Sequence, residues 1–161
     1  MTFLFTRLNK LVNRSSFSCG NTELDTYFQR FASQDMRNGL AVCYVAIDED
    51  NGEVVGYFTL SASALDQSML KADQRRGCYP LLPVALLGRL AVSSNYQGQG
   101  FGSVLVAKAM QIASENQVGC AGLIVNPKNN VVGFYESLGF ETLTTNHGLI
   151  CLKFFPKRKF S

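Results

Sequence analysis

Apolar positions along this chain recur at two periods, and the alternation between them predicts strands and helices in turn. Thr2–Leu8 is an apolar run of strand length. After Phe17-Ser18-Cys19-Gly20, a helix is expected with Asn21 or Thr22 as N-cap, and Asp25 stands at a capping-box-like spacing from Thr22. Leu24, Tyr27, Phe28 and Phe31 recur at three and four residues and form one apolar face of that helix. A second short helix, Ser33–Arg37, ends at Asn38-Gly39. Ala41–Asp48 and Glu53–Ser61 are β-rich runs joined through Asp50-Asn51-Gly52, where Asn-Gly suits a type I′ hairpin.

Ala64–Val84 mixes charge, Gly77, Pro80 and Pro83, which predicts a short helical piece and then a loop. Leu86–Val92 predicts a buried central strand. Gly102–Gln117 predicts a helix with Leu105, Ala109, Ile112 and Ala113 along one side. Ala121–Val125 is another buried strand, Asn130–Leu138 a short helix, and Phe140–Leu143 with Leu149–Phe155 the closing strands.

Between the central strand and the long helix lies Gln97-Gly98-Gln99-Gly100-Phe101-Gly102. A glycine turn that opens a helix points backbone N–H groups and the positive end of the helix dipole at an anion, typically a phosphate. Glycine tolerates positive φ there and keeps side chains out of the ligand's path. A dinucleotide fold wants a third glycine and an acidic residue about 20 positions on. Here Ser103 follows, and the next strand ends in Asn126-Pro127-Lys128. A P-loop wants Gly-Lys-Ser/Thr, which is missing.

At 161 residues, with 47% apolar and 17% charged positions, the chain suits one folded domain. Met1–Val12 is broken by Arg7, Asn9 and Lys10, unlike a signal peptide, and no run approaches the ~20 apolar residues of a membrane span. A cytoplasmic location without membrane association is therefore expected. Cys19, Cys43, Cys78, Cys120 and Cys151 are odd in number and scattered, indicating neither a disulfide framework nor a zinc site. His147 is the sole histidine and reads as a surface residue at a hairpin tip, so no metal centre is expected. Net charge is +3, but Lys71, Arg75 and Arg76 cluster before Gly77, and Lys157-Arg158-Lys159 ends the chain. Such clusters are either solvated surface or the footprint of a polyanionic acceptor.

Gln97-x-x-Gly100-x-Gly102, followed a βα unit later by Gly133-Phe134-Tyr135-Glu136-Ser137-Leu138-Gly139-Phe140, resembles the pyrophosphate turn and the FYxxxGF segment of the GNAT acetyl-CoA-dependent N-acetyltransferases. The resemblance implies an α/β GNAT fold: a mixed, mostly antiparallel sheet splayed between two central parallel strands and flanked by helices. It implies acetyl-CoA as cosubstrate. The main chain of Leu90, Ala91 and Val92 would meet the pantetheine arm, with the Leu90 and Val92 groups free because the neighbouring strand diverges. The N–H groups of Gln97, Gly98, Gln99, Gly100, Phe101 and Gly102 would hold the diphosphate, and Asn130 and Phe134 would complete the cofactor site. Tyr135 would be the catalytic acid that protonates the departing thiolate. A phenol near pKa 10 and a thiol near 8.5 differ by only ~2 kcal/mol, which geometry can offset. The other reading of Tyr135 is core packing.

No general base is evident, since Glu136 points away from Tyr135 on a helix. A lysine amine costs ~4–5 kcal/mol to deprotonate at neutral pH and an α-amine only about 1. A site without a base therefore leans toward α-amine acceptors, unless a water relays the proton.

A narrower resemblance rests on Phe17-x-Cys19-Gly20-Asn21-x-x-Leu24-x-x-Tyr27-Phe28, Ala32-Ser33-Gln34-Asp35, Gly56-Tyr57-Phe58-Thr59-Leu60-Ser61, Leu87-Gly88-Arg89-Leu90-Ala91-Val92 and Tyr96-Gln97-Gly98. Across most of residues 17–155 the chain is similar to the GNAT toxins of bacterial type II toxin–antitoxin modules. That implies acetylation of the α-amino group of aminoacyl-tRNA, arrest of translation, neutralisation by a ribbon–helix–helix antitoxin, and in many cases a homodimer. Operator DNA would be met only through the antitoxin complex. Lys71, Arg75, Arg76, Arg89, Lys157, Arg158 and Lys159 would then be candidate tRNA phosphate contacts. Ser93, where an acidic residue is common, and the looser Cys78–Pro83 segment depart from the pattern. A housekeeping N-acetyltransferase and a non-catalytic acetyl-CoA-binding module are the alternative classes.

Overall fold

The computed structural model describes residues 2–157. The chain divides into two compact units, Met1–Ser61 with Gly88–Ala109, and Ala62–Leu87 with Met110–Ser161. The hydrogen-bonded strand order is β1-β2-β3-β4 in the first and β4-β5-β7-β6 in the second, because β3 and β4 are long enough to enter both. The expected mixed sheet with one parallel pair is present.

In the first unit β1 (Phe3–Arg7) runs antiparallel to β2 (Val42–Asp48), and β2 antiparallel to β3 (Val54–Asp66). Between β1 and β2 the chain makes α1 (Thr22–Thr26), a π turn (Tyr27–Phe31) and α2 (Ala32–Arg37). Asn21 is the N-cap, its side chain accepting the Leu24 N–H at 3.2 Å. That choice of cap leaves Asp25 out of a capping box, and its carboxylate accepts the Cys19 N–H instead, at 2.9 Å. The π turn also shifts the helical register. Phe31, expected on the apolar face, is 48% exposed, and Ala32 takes the fully buried position. The core gathers Phe17, Tyr27, Phe28, Cys43, Val45, Tyr57 and Ala91.

The β2–β3 connection is not the expected type I′ turn, which needs positive φ at both central residues. Only Gly52 has it, at +75°, and no described non-glycine residue does. Asp48 closes the loop instead. Its N–H donates to the Glu53 carbonyl at 2.9 Å and its carbonyl accepts from Gly52 N–H at 2.7 Å.

β4 (Leu81–Val92) starts five residues earlier than Leu86, the start read from the sequence. Pro83 is tolerated because the parallel pairing with β5 (Gly122–Val125) begins only at Ala85, and the Pro83 carbonyl still accepts the Ala121 N–H. The expected helical piece over Ala64–Val84 is likewise replaced by the end of β3 and two short 3-10 turns. Small alternating Ser and Ala side chains at 61–64 carry little strand signal. β7 (Gly148–Phe154) pairs antiparallel with both β5 and β6 (Glu141–Thr145), and α4 (Val132–Ser137) precedes β6. Leu65, Leu82, Val84, Ile124, Ile150 and Leu152 form the second unit's core.

Candidate active site

In the first unit β4 delivers the chain to the glycine turn and then to α3 (Phe101–Ser114). The pairing of β4 with β5 covers only Ala85–Leu87, so Leu90, Ala91 and Val92 lie beyond the paired stretch. Gly56 lets α3 and β4 close on β3: a Cβ there would stand 2.6 Å from the Ala91 carbonyl and 2.8 Å from Leu105 Cδ1. One strand amide is satisfied by a side chain that the sequence reading missed. The buried Thr59 hydroxyl accepts the Arg89 N–H at 3.0 Å. A lone polar residue inside the apolar run Gly56–Leu60 was the available signal.

Gly98 and Gly100 have φ of +78° and +84°, and a Cβ on either would meet nothing within 4 Å. Torsion, not packing, requires glycine here, and the open space leaves the turn's main chain accessible. The first main-chain hydrogen bond at this end of α3 is Val104 N–H to Gly100 O, at 3.4 Å. The N–H groups of Phe101, Gly102 and Ser103 therefore face outward with the positive end of the helix. Gln97 contributes more than its main chain. Its Nε2 donates to the carbonyls of Cys19 (2.7 Å) and Val92 (2.9 Å) and ties the turn to the strand's end. The Val92 carbonyl, expected to stand free for a pantetheine amide, therefore already accepts one bond. Phe101 is held edge-on by Phe3 at 5.0 Å.

In the second unit Tyr135 lies on α4, its ring edge-on to Phe134 at 5.1 Å and Phe140 at 5.6 Å. Its carbonyl accepts both Leu138 N–H (3.0 Å) and Phe140 N–H (3.1 Å), and Lys153 Nζ donates to the Leu138 carbonyl at 2.7 Å. Tyr135 is 5% exposed, and burial, then the neighbouring Cys151, pushes its phenol up to about 12. No described residue hydrogen-bonds its hydroxyl. Every fully buried described side-chain N or O atom has a partner, so that hydroxyl is not itself fully buried. The other buried tyrosines are engaged: Tyr27 with Asp35, Tyr57 with the Leu24 carbonyl, Tyr96 with Asp48. A buried ring with a spare hydroxyl suits a proton donor awaiting substrate. Phe134 is half-buried and Asn130 exposed in the turn before α4. Glu136 is exposed and accepts from the Thr142 hydroxyl at 3.2 Å, and His147 is exposed at the β6–β7 turn.

The basic candidates differ in their occupations. Arg89 stacks its guanidinium 3.6 Å over the Tyr27 ring, whose hydroxyl is fixed by Asp35 at 2.8 Å. Lys71 and Lys157 are exposed. Arg75 donates to the Leu70 carbonyl. Arg76 serves the fold: it donates to the Phe155 carbonyl at 2.8 Å and covers Phe154. The buried Gln67, also missed from the sequence, orders this loop through Arg76 and Tyr79 main-chain groups. Arg158 and Lys159 lie outside the described residues.

The model of the acetyltransferase (GNAT) family matches residues 5–140, from β1 through α4. The chain belongs to the GNAT acetyltransferase family. Among GNAT relatives it is 28% identical over 152 residues to a tRNA-acetylating toxin of Mycobacterium tuberculosis (strain ATCC 25618 / H37Rv), covering 91% of this chain and 90% of that protein. Of solved GNAT structures, AtaT complexed with acetyl-methionyl-tRNAfMet superposes with a TM-score of 0.86 at 29% identity, covering 96% of this chain and 95% of the other. A Tyr-to-Phe variant of the AtaT toxin bound to acetyl-CoA and the C-terminus of the antitoxin AtaR superposes with a TM-score of 0.77 at 26% identity, covering 94% and 92%. No helix among the described residues is long and apolar enough to cross a membrane.

Proposed function

We propose that this chain is a toxin of a type II toxin–antitoxin system that transfers acetyl from acetyl-CoA to the α-amino group of aminoacyl-tRNA and so inhibits translation. The observation that carries this reading is its similarity, over nine-tenths of both chains, to a tRNA-acetylating toxin and to AtaT in complex with acetyl-methionyl-tRNA. In the proposed reaction the N–H groups of residues 97–102 hold the diphosphate, and the Leu90–Val92 main chain, Asn130 and Phe134 line the rest of the cofactor. The neutral amine attacks the acetyl carbon, a C–N bond forms and the C–S bond breaks. Tyr135 gives its proton to the thiolate, and the phenolate is restored by the proton the acetylated nitrogen releases, directly or through water. Lys71, Arg75, Arg89 and the Lys157–Lys159 tail meet tRNA phosphates, while Arg76 holds their loop. Residues 1–161 act as one GNAT domain in the cytoplasm, as a homodimer, restrained by a ribbon–helix–helix antitoxin through which alone operator DNA is met.

Incubation with labelled acetyl-CoA and total charged tRNA tests the reading. Label should appear on the aminoacyl moiety and be released when the ester is hydrolysed, and induced expression should arrest growth. Label on a protein N-terminus or a small amine, with growth unaffected, would identify a housekeeping enzyme instead.

The pH dependence follows from two groups. An α-amine of pKa ~7.7–8.0 must be neutral, a form that dominates above that range. Tyr135 must be protonated, and because its pKa is raised to about 12 the acid form persists through the whole accessible alkaline range. Log kcat/KM for the amine should rise with unit slope to about pH 7.5 and stay level between about 8.5 and 10.5. A descending limb centred near 10 would show that Tyr135 is either solvated or not the acid.

A further inference from the structure

Tyr96, one residue before the turn, is pinned by a polar cluster that none of the chemistry above uses. Its hydroxyl donates to Asp48 Oδ2 at 2.8 Å and accepts from Asn51 Nδ2 at 3.3 Å, and Glu53 Oε2 stands 3.5 Å away. Asp48 is 4% exposed, and its other oxygen accepts the Asp50 N–H at 3.0 Å. A buried carboxylate is costly unless hydrogen bonds replace its water, so the cluster holds together or opens as a unit. Tyr96 also packs edge-on against Phe101 at 5.9 Å. The residues flanking Gln97–Gly100 on both sides are thus anchored, and the end of β2 with the loop after it supplies the anchor for the first.

We propose that Asp48 is a positioning residue that acts through Tyr96: it fixes the glycine turn so that its N–H groups converge on the cofactor's diphosphate. Gln97 ties the start of the turn to Cys19 and Val92, but Gly98 and Gly100 beyond it sit in open space with no side chain to lock them, so the turn also depends on its anchored flanks. A preorganised turn spends no binding energy on ordering itself, and the benefit falls on diphosphate binding alone. Geometry at the acetyl carbon is set elsewhere, so kcat is untouched.

The inference rests on the acetyltransferase reading, and the test separates the two. Asp48→Ala, Tyr96→Phe and the double variant are assayed with acetyl-CoA and with acetyl-pantetheine, which carries the same thioester and no diphosphate. Each single variant should raise KM for acetyl-CoA on the order of tenfold, below the ~10²-fold that a 1 Å misplacement of reacting atoms can cost. Neither should change kcat/KM for acetyl-pantetheine. The double variant should be no worse than the single ones, as for residues acting through one contact. Equal losses on both thioesters, additive losses, or an unchanged KM for acetyl-CoA would overturn the role. If Asp48→Ala does not fold, Tyr96→Phe alone decides, since it keeps the ring on Phe101. No acetyl transfer from either thioester by the unaltered protein would instead refute the acetyltransferase reading.

Discussion

Tyr135→Phe is expected to lower kcat by about 10²–10⁴-fold, the range lost when a general acid is removed. The substitution keeps the ring, so the edge-on contacts with Phe134 and Phe140 survive. It removes a hydroxyl that bonds no described residue, so no buried partner is orphaned. Folding stability should therefore stay within about 0.5 kcal/mol, and the dissociation constant for acetyl-CoA should hold steady in calorimetry. What is lost is the proton for the thiolate. In the proposed reaction that proton comes from a phenol raised to about 12 by burial, an acid weaker than a free tyrosine and hence intact at every working pH. Against a thiol near 8.5 the gap widens from about 1.5 to about 3.5 units, ~5 kcal/mol, and in the proposed reaction it is offset by holding the donor at the sulfur as negative charge develops there. The variant must rely on solvent as the acid, and its residual rate should rise as buffer acids are added. Turnover equal to wild type would leave Tyr135 a packing residue.

The periodic elements were legible because hydrophobic spacing reports directly on which face is buried. Of Leu105, Ala109, Ile112 and Ala113, read as one side of a helix, three are nearly inaccessible on α3 and Ile112 is half-buried. The glycine turn was legible for a different reason: Gly98 and Gly100 occupy torsions that other residues rarely adopt, so the residue type betrays the backbone. What escaped were polar side chains whose partners are remote in sequence. Gln97 reaches back to Cys19, Tyr96 to Asp48, and Gln67 to Tyr79. No local rule pairs them, since each depends on how β-strands and loops come together. Phe31 escaped for a local reason. One π turn displaced the helical register that placed it on the apolar face. The type I′ turn failed similarly, because Asn-Gly permits that geometry without demanding it, and the Asp48 main-chain bonds to Glu53 and Gly52 set the closure.

Phe28→Ala should produce the largest loss of stability, about 3–5 kcal/mol. Phe28 is fully buried and stacks on Tyr57 at 4.5 Å and 10°, with Phe17 edge-on at 4.9 Å. Both rings also meet each other, Phe17 edge-on to Tyr57 at 5.6 Å, so alanine opens a cavity with two of its aromatic walls held in place. Tyr57 cannot swing in to fill it. Its hydroxyl donates to the Leu24 carbonyl at 2.7 Å, and moving the ring would abandon a buried hydrogen bond. The loss is a large part of the ~5–15 kcal/mol that holds a typical domain together, and at a chain of this length it corresponds to a melting temperature lower by roughly 10 °C or more. Phe28→Leu, which keeps most of the volume, should cost clearly less. The consequence for function runs through the same stack: Tyr57 lies against Tyr27 at 6.4 Å, and Tyr27 carries the Arg89 guanidinium. Well below its melting point, Phe28→Ala should keep kcat, because Phe28 touches no reacting group, while KM for charged tRNA should rise if Arg89 meets the tRNA as proposed, since its support loosens. A melting temperature within two or three degrees of wild type, read by calorimetry, would mean that the cavity collapses and that this aromatic stack is not what holds the first unit together.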